Sequence, residues 1–223
     1  MSDRLLEICC DSLESARAAA EGGADRIELC VDLAADGLTP SRELLADAGE
    51  LPVFVLVRCR PGDFVYTDAE VRAMCADIEA MREAGAAGIV CGALRGSGEI
   101  DLNATHRLIA AAEGLPFTFH KAFDLCPDQE RSMERLAGLG VERVLTSGGE
   151  RYAVDAMERL AKLATIGGGT TAVLCGGGVR ATGLRELVKI PGVTEFHSAA
   201  RASVGEPVDV GEVRAMRAIL ACR

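Results

Sequence analysis

The chain has 223 residues, 49% of them hydrophobic and 26% charged, enough for a large core and incompatible with a disordered or collagen-like polymer. Its 34 acidic against 24 basic residues give a formal charge of -10, so nucleic acid and anionic membrane surfaces are poor partners. The opening Met-Ser-Asp-Arg-Leu-Leu-Glu lacks the basic flank and apolar run of a signal peptide, and no window of about 18 apolar residues follows, which points to the cytoplasm.

Along the chain, short apolar runs alternate with longer stretches of helical period. The runs predict strands at 5–10, 26–30, 53–57, 88–91, 117–119, 144–146, 171–175 and 195–197. The stretches between them, rich in Ala, Leu, Glu and Arg, predict helices at 13–21, 42–48, 68–84, 103–113, 129–139, 154–164, 182–188 and 210–220. Gly22-Gly23, Gly85 and Gly140 follow periodic segments, where a left-handed cap residue ends a helix. Eight strand-helix units average about 28 residues each, near the size of a compact barrel. No Pro/Ser-rich linker divides them. The expected fold is α/β, a single TIM-like (β/α)8 barrel over residues 1–223, with an open doubly wound sheet as the alternative.

Chemistry in such a barrel gathers at the C-terminal ends of the strands. Alternation turns apolar residues toward the helices and leaves the others inside. By this rule Glu7 and Cys9, Glu28 and Cys30, Arg58 and Arg60, Thr118 and His120, and Glu195 and His197 point inward. Buried charges must pair, reach water or meet a ligand. Glu7 and Glu28 with Arg58 and Arg60 therefore read either as a self-satisfied ring of salt bridges or as a functional site.

The stretch Cys175-Gly176-Gly177-Gly178-Val179-Arg180 ends a strand in three glycines before a helix, a pattern that cradles anions or simply makes a tight turn. Ser198 and His197, at the end of the next strand, would join such an anion site with Arg58 and Arg60. His120, with Asp124 four residues on, is a candidate base oriented by a carboxylate, or a histidine that only bonds a neighbouring strand. The loop from Pro61 to Tyr66 reads as a mobile lid or as a packed loop with an aromatic anchor. Nine cysteines occur without a Cys-x-x-Cys or a Cys/His cluster of zinc-finger spacing, so most read as reduced thiols. Cys9 and Cys30, on adjacent strands and facing the same way, are the pair able to hold a soft ion such as Cu(I). Their other reading is a pair of buried core thiols.

Several motifs together resemble the CutC copper homeostasis family. They are Glu7-Ile-Cys-Cys-Asp-Ser-Leu-Glu-Ser-Ala, Gly22-Gly-Ala-Asp-Arg-Ile-Glu-Leu-Cys, Gly37-Leu-Thr-Pro-Ser, Arg58-Cys-Arg-Pro-Gly-Asp-Phe-Val-Tyr, Phe117-Thr-Phe-His-Lys-Ala-Phe-Asp, Val144-Leu-Thr-Ser-Gly-Gly and Glu195-Phe-His-Ser-Ala-Ala-Arg. The resemblance runs in order from about Leu5 to Arg201. It implies a TIM-like barrel, a cytoplasmic location and a link to copper tolerance or Cu(I) binding, and its motifs fall on Glu7, Cys9, Glu28, Cys30, His120 and Asp124. The chain departs from the family pattern at Cys59, where a proline is usual, at Lys121, where an arginine is usual, and at Cys175, where a proline is usual.

Two function classes follow. One is a copper-handling protein holding Cu(I) through Cys9 and Cys30. The other is a barrel enzyme, an isomerase, lyase or hydrolase, acting on a small anionic or phosphorylated substrate. In that enzyme Glu7, Glu28, His120 and Asp124 manage protons, while Arg58, Arg60 and the Gly176–Gly178 loop hold the anion. A copper ion or a small anion is thus the expected partner, and association into a homo-oligomer is left open.

Overall fold

The computed structural model describes residues 4–222, so residues 1–3 and 223, the ends of the expected domain, lie outside the described residues. Eight parallel strands close on themselves in sequence order, with the last strand paired to the first. The strands are β1 (Leu5–Cys10), β2 (Arg26–Leu29), β3 (Val53–Leu56), β4 (Gly88–Cys91), β5 (Phe117–Phe119), β6 (Arg143–Thr146), β7 (Ala172–Cys175) and β8 (Glu195–Ser198). The helices that follow them are α1 (Leu13–Gly22), α2 (Arg42–Ala46), α3 (Asp68–Glu83), α4 (Leu102–Ala112), α5 (Gln129–Gly138), α6 (Met157–Gly167), α7 (Ala181–Leu187) and α8 (Val210–Ala221). This is the expected (β/α)8 barrel, and the open-sheet alternative falls with the β1–β8 pairing. Among the described residues no helix is long and apolar enough to cross a membrane.

Local chemistry explains the element ends. Ser12 accepts from the Ser15 N–H to start α1, and Gly23 ends it at a φ of 88°, a left-handed conformation that favours glycine. Thr67 and Glu70 form a reciprocal capping box at the start of α3. The helix expected from residue 154 begins three residues later, at Met157, because Ala153–Ala156 forms a 3-10 turn first. That turn is tethered where the Ala153 N–H donates to the Gly177 carbonyl at 2.9 Å.

Strand alternation divides the apolar residues into two shells. Leu6, Ile8 and Cys10 of β1, Ile27 and Leu29 of β2, and Val53 and Val55 of β3 pack outward against the helices. A smaller cluster inside the barrel holds Cys9, Cys30, Phe54, Leu56 and Val90. Gly88 on β4 leaves room for Phe54, since a Cβ there would run into the Phe54 ring. The Arg26 and Arg143 guanidinium carbons lie 4.7 and 5.1 Å from the centre of that ring. Phe54 thus fills the barrel interior against these two guanidinium groups.

Candidate functional site

Register brings three strands together at the barrel floor. Glu7 is opposite Arg26 on one side and His197 on the other, and all three share the inward parity. Glu7 is fully buried. It accepts from Arg26 Nε and lies 2.7 Å from His197 Nδ1. Arg26 Nη2 reaches Glu195 at 2.8 Å, and Arg143 Nε reaches the same carboxylate at 2.9 Å. On its other side His197 Nε2 stands 3.7 Å from Glu28 Oε2. Three cationic side chains therefore face three carboxylates.

These contacts set the protonation states. Burial would raise the Glu7 carboxyl, but the bond from His197 and the charge of Arg26 hold it well below the ordinary carboxylate range. Burial would lower His197, yet the Glu28 charge and the bonds to Cys9 and Glu7 hold it well above its ordinary value, as an imidazolium. Burial pushes Glu28 up, and the His197 charge offsets part of that rise. Cys9 is pushed well above its ordinary value by its bond to Cys30 and by burial, so the thiol stays protonated. The Cys9 and Cys30 sulfurs are 3.8 Å apart. Cys9, Glu28 and His197 offer ligand atoms that all lie within 4.8 Å of one another.

Above this floor a cavity of about 390 Å3 opens at the C-terminal ends of the strands. Cys9, Cys30, Glu28, His197, Arg58 and His120 line it, so six of the residues singled out in the sequence share one pocket. Glu7 lies beneath the lining and acts on it through His197.

Others are placed elsewhere. Arg60 turns away from the pocket, bonding Glu70 at 2.5 Å, Asp63 at 3.0 Å and the Val65 carbonyl at 2.7 Å. The reason is that β3 ends at Leu56, so alternation no longer governs a side chain four residues later. Asp124 accepts from Thr146 Oγ1, from the Ser147 N–H and Oγ, and from the Gly149 N–H, the last three at 3.0 Å. Its carboxylate ties the 3-10 turn Lys121–Leu125 to the loop after β6 and does not orient His120. Ser198 Oγ donates to the Val179 carbonyl at 2.6 Å and accepts from Arg180 Nη1 and the Ala200 N–H at 3.0 Å.

Gly176, Gly177 and Gly178 are not part of the cavity lining. A Cβ at Gly176 would come within 2.5 Å of Leu145 Cδ1, and one at Gly178 within 2.5 Å of Tyr152 Cδ1. Close packing thus requires these glycines. The loop from Pro61 to Tyr66 is the packed alternative, because Phe64 is buried against His120, with ring centres 4.7 Å apart, and lies under Arg58. Of the three departures, Cys59 is exposed, Cys175 packs with the outer shell, and Lys121 lines the cavity in an ion pair with Asp36 at 2.8 Å.

Sequence reasoning missed Arg26, Arg180 and Arg201. Arg26 shares the parity of Glu28 and Cys30, so the alternation rule already contained it. Arg180 and Arg201 sit on loops after β7 and β8, where no periodicity applies. Arg201 pairs with Asp11 at 2.8 Å and donates to the Cys9 carbonyl at 2.8 Å, which ties the β8 loop to the thiol-bearing end of β1.

Comparison with known proteins agrees with the fold and the motifs. The CutC family model matches residues 4–202. A family protein CutC from Histophilus somni is 45% identical over 199 residues, covering 88% of this chain and 82% of that protein. One from Caulobacter vibrioides is 43% identical over 212 residues, covering 94% and 85%. A crystal structure from Streptococcus agalactiae, described as a copper homeostasis protein CutC, superposes with a TM-score of 0.83 at 32% identity, covering 88% of this chain and 98% of that one. A 4-hydroxy-2-oxoglutarate aldolase at 19% identity and a TM-score of 0.62, covering 97% and 94%, shares the fold alone. With most of its length matched by the family model and by relatives above 40% identity, the chain belongs to the CutC family.

Proposed function

We propose that this protein takes part in copper homeostasis by holding Cu(I) at the cavity floor, with Cys9 and Cys30 as its thiolate ligands and His197 as a third donor. The observation that carries this reading is the 3.8 Å between the two sulfurs. Two metal–sulfur bonds of about 2.3 Å at a tetrahedral angle separate their sulfurs by about 3.8 Å, so a soft ion would need little rearrangement. Glu7 orients His197 through Nδ1, the outer-shell role carboxylates play at metal-bound histidines. Both thiols are buried and His197 is held as a cation, so capture of a metal ion has to release a proton from each thiol and one from His197 Nε2. Glu28, pushed up by burial and beside Cys9, is the nearest carboxylate able to take one. Nine free cysteines are in keeping with the reducing cytoplasm.

The test is a titration of reduced protein with Cu(I) against a competing chelator, for wild type and for Cys9→Ser with Cys30→Ser. Wild type should take one copper per chain, and the double variant, which loses the ligands themselves, should compete at least roughly 100-fold less well. Equal competition by the two proteins would leave Cys9 and Cys30 as core thiols and remove the reading.

A further inference from the structure

The cavity floor balances its charges, whereas two arginines of the cavity lining do not. Among the buried ionisable residues, Glu7, Arg26, Glu28 and Arg201 each have an oppositely charged partner. Arg58, 2% exposed, has no carboxylate ion pair among the described residues. Its Nη1 donates to the Ala35 and Gly37 carbonyls at 2.7 and 3.1 Å, and its Nη2 to the Gly62 carbonyl at 2.7 Å. Its Nε is buried with no partner. Asp36 is near enough to feel the charge but gives its oxygen to Lys121.

Arg180 follows the same pattern. Its guanidinium bonds the Val179 carbonyl at 3.1 Å, Ser198 Oγ at 3.0 Å and the Arg201 carbonyl at 2.7 Å, and it too has no carboxylate ion pair among the described residues. His120 adds a neutral donor. Its Nδ1 accepts from the Ala122 N–H at 3.4 Å, so the ring proton belongs on Nε2, which is buried without a partner. Burial, with the charges of Arg58 and Lys121, pushes His120 down to about 3 and keeps it uncharged at neutral pH. All three side chains line the one cavity, beside apolar walls from Leu33, Leu56, Leu145 and Val204.

We infer that these three lining side chains form a binding site for a small organic oxyanion, a carboxylate or a phosphate ester. Its charge is met by Arg58 and Arg180, and one of its oxygens accepts from His120 Nε2. A buried guanidinium without a counter-ion is costly, and an anion that arrives with an apolar body supplies both the missing charge and cover for the leucines. A cavity of about 390 Å3 falls within the range of small-molecule sites. No thiol is among its donors, so the anion reading does not rest on the copper reading although Cys9 and Cys30 line the same cavity.

Thermal unfolding of the reduced, metal-free protein tests it, with 10 mM inorganic phosphate or malonate as probes against chloride at matched ionic strength. For a millimolar Kd the midpoint should rise by about 3–6 °C. A response to phosphate alone assigns a phosphate ester, and one to malonate alone a carboxylate. The rise should vanish in Arg180→Gln, a half-buried position expected to fold, and in His120→Phe. It should persist in Cys9→Ser with Cys30→Ser, so that undiminished copper competition by that variant sinks the copper reading alone. No rise with either probe, or a rise that survives both Arg180→Gln and His120→Phe, overturns the site.

Discussion

The two histidines of the cavity differ in state because they face different neighbours. His197, on β8, stands between Glu7 and Glu28 and is held as a cation. His120, just past β5, stands between Phe64 and Phe119 with Arg58 and Lys121 nearby, and is held neutral. One barrel mouth therefore holds an acid- and thiol-rich set of side chains suited to a cation and a set of cations and a neutral donor suited to an anion. A barrel can bring such opposed chemistries to one mouth because each strand contributes its own inward side chains.

The largest expected effect comes from breaking the floor. Arg26→Met leaves the buried Glu7 without its guanidinium partner and Glu195 with Arg143 alone, which costs about 3–5 kcal/mol and lowers the thermal midpoint by about 6–20 °C at pH 7. A midpoint within 2 °C of wild type, about 1 kcal/mol or less, would mean that the ring holds without its central guanidinium.

Copper affinity should rise with pH, because two buried thiols and the His197 imidazolium must lose protons before they ligate. Chelator competition between pH 6 and 8 should show a gain of up to about 1000-fold per pH unit, one factor of ten for each proton released. A pH-independent affinity would mean that the thiols do not bind the ion.

The histidines should give stability curves of opposite sign. His120 is depressed to about 3, so the unfolded chain binds the extra proton below its own value of 6.5, and stability falls as pH drops from 6.5 toward 3. His197 is raised, so its contribution is complete below 6.5 and is lost as pH climbs through its folded value. Each slope reaches up to about 1.4 kcal/mol per pH unit. Denaturant unfolding across pH should show the acid-side slope flattened in His120→Phe and the alkaline slope flattened in His197→Gln. Unchanged slopes would contradict the two assigned states.

The smallest effect belongs to Arg60. Its partners are partly exposed, so Arg60→Met should cost less than about 1 kcal/mol in denaturant unfolding and leave copper competition unchanged. A loss of copper binding in this variant would return Arg60 to the pocket.

The fold was legible in the sequence because a period of two in the strands and a longer period in the helices leave little freedom once eight units repeat. Every strand matches its expected span to within one residue at each end. The same alternation correctly faced Glu7, Cys9, Glu28, Cys30 and His197 inward, and Cys10 outward. It failed where the ladder ends. Arg60 lies beyond β3, and its direction is set by Glu70 on a helix. Asp124 sits in a 3-10 turn whose partners come from the loop after β6, a contact between distant segments that no local period encodes. The glycines after β7 carry the same ambiguity, since a turn that admits an anion and one that admits Tyr152 read alike. Arg180 was invisible for a further reason: what distinguishes it is a missing carboxylate, a property of the assembled mouth.

The most direct test of the central claim is X-ray absorption at the copper edge of protein loaded with one Cu(I) per chain. Two sulfur scatterers per copper are expected in wild type, and one in Cys30→Ser. A shell of nitrogen and oxygen alone, or a sulfur shell unchanged by Cys30→Ser, would contradict ligation by Cys9 and Cys30.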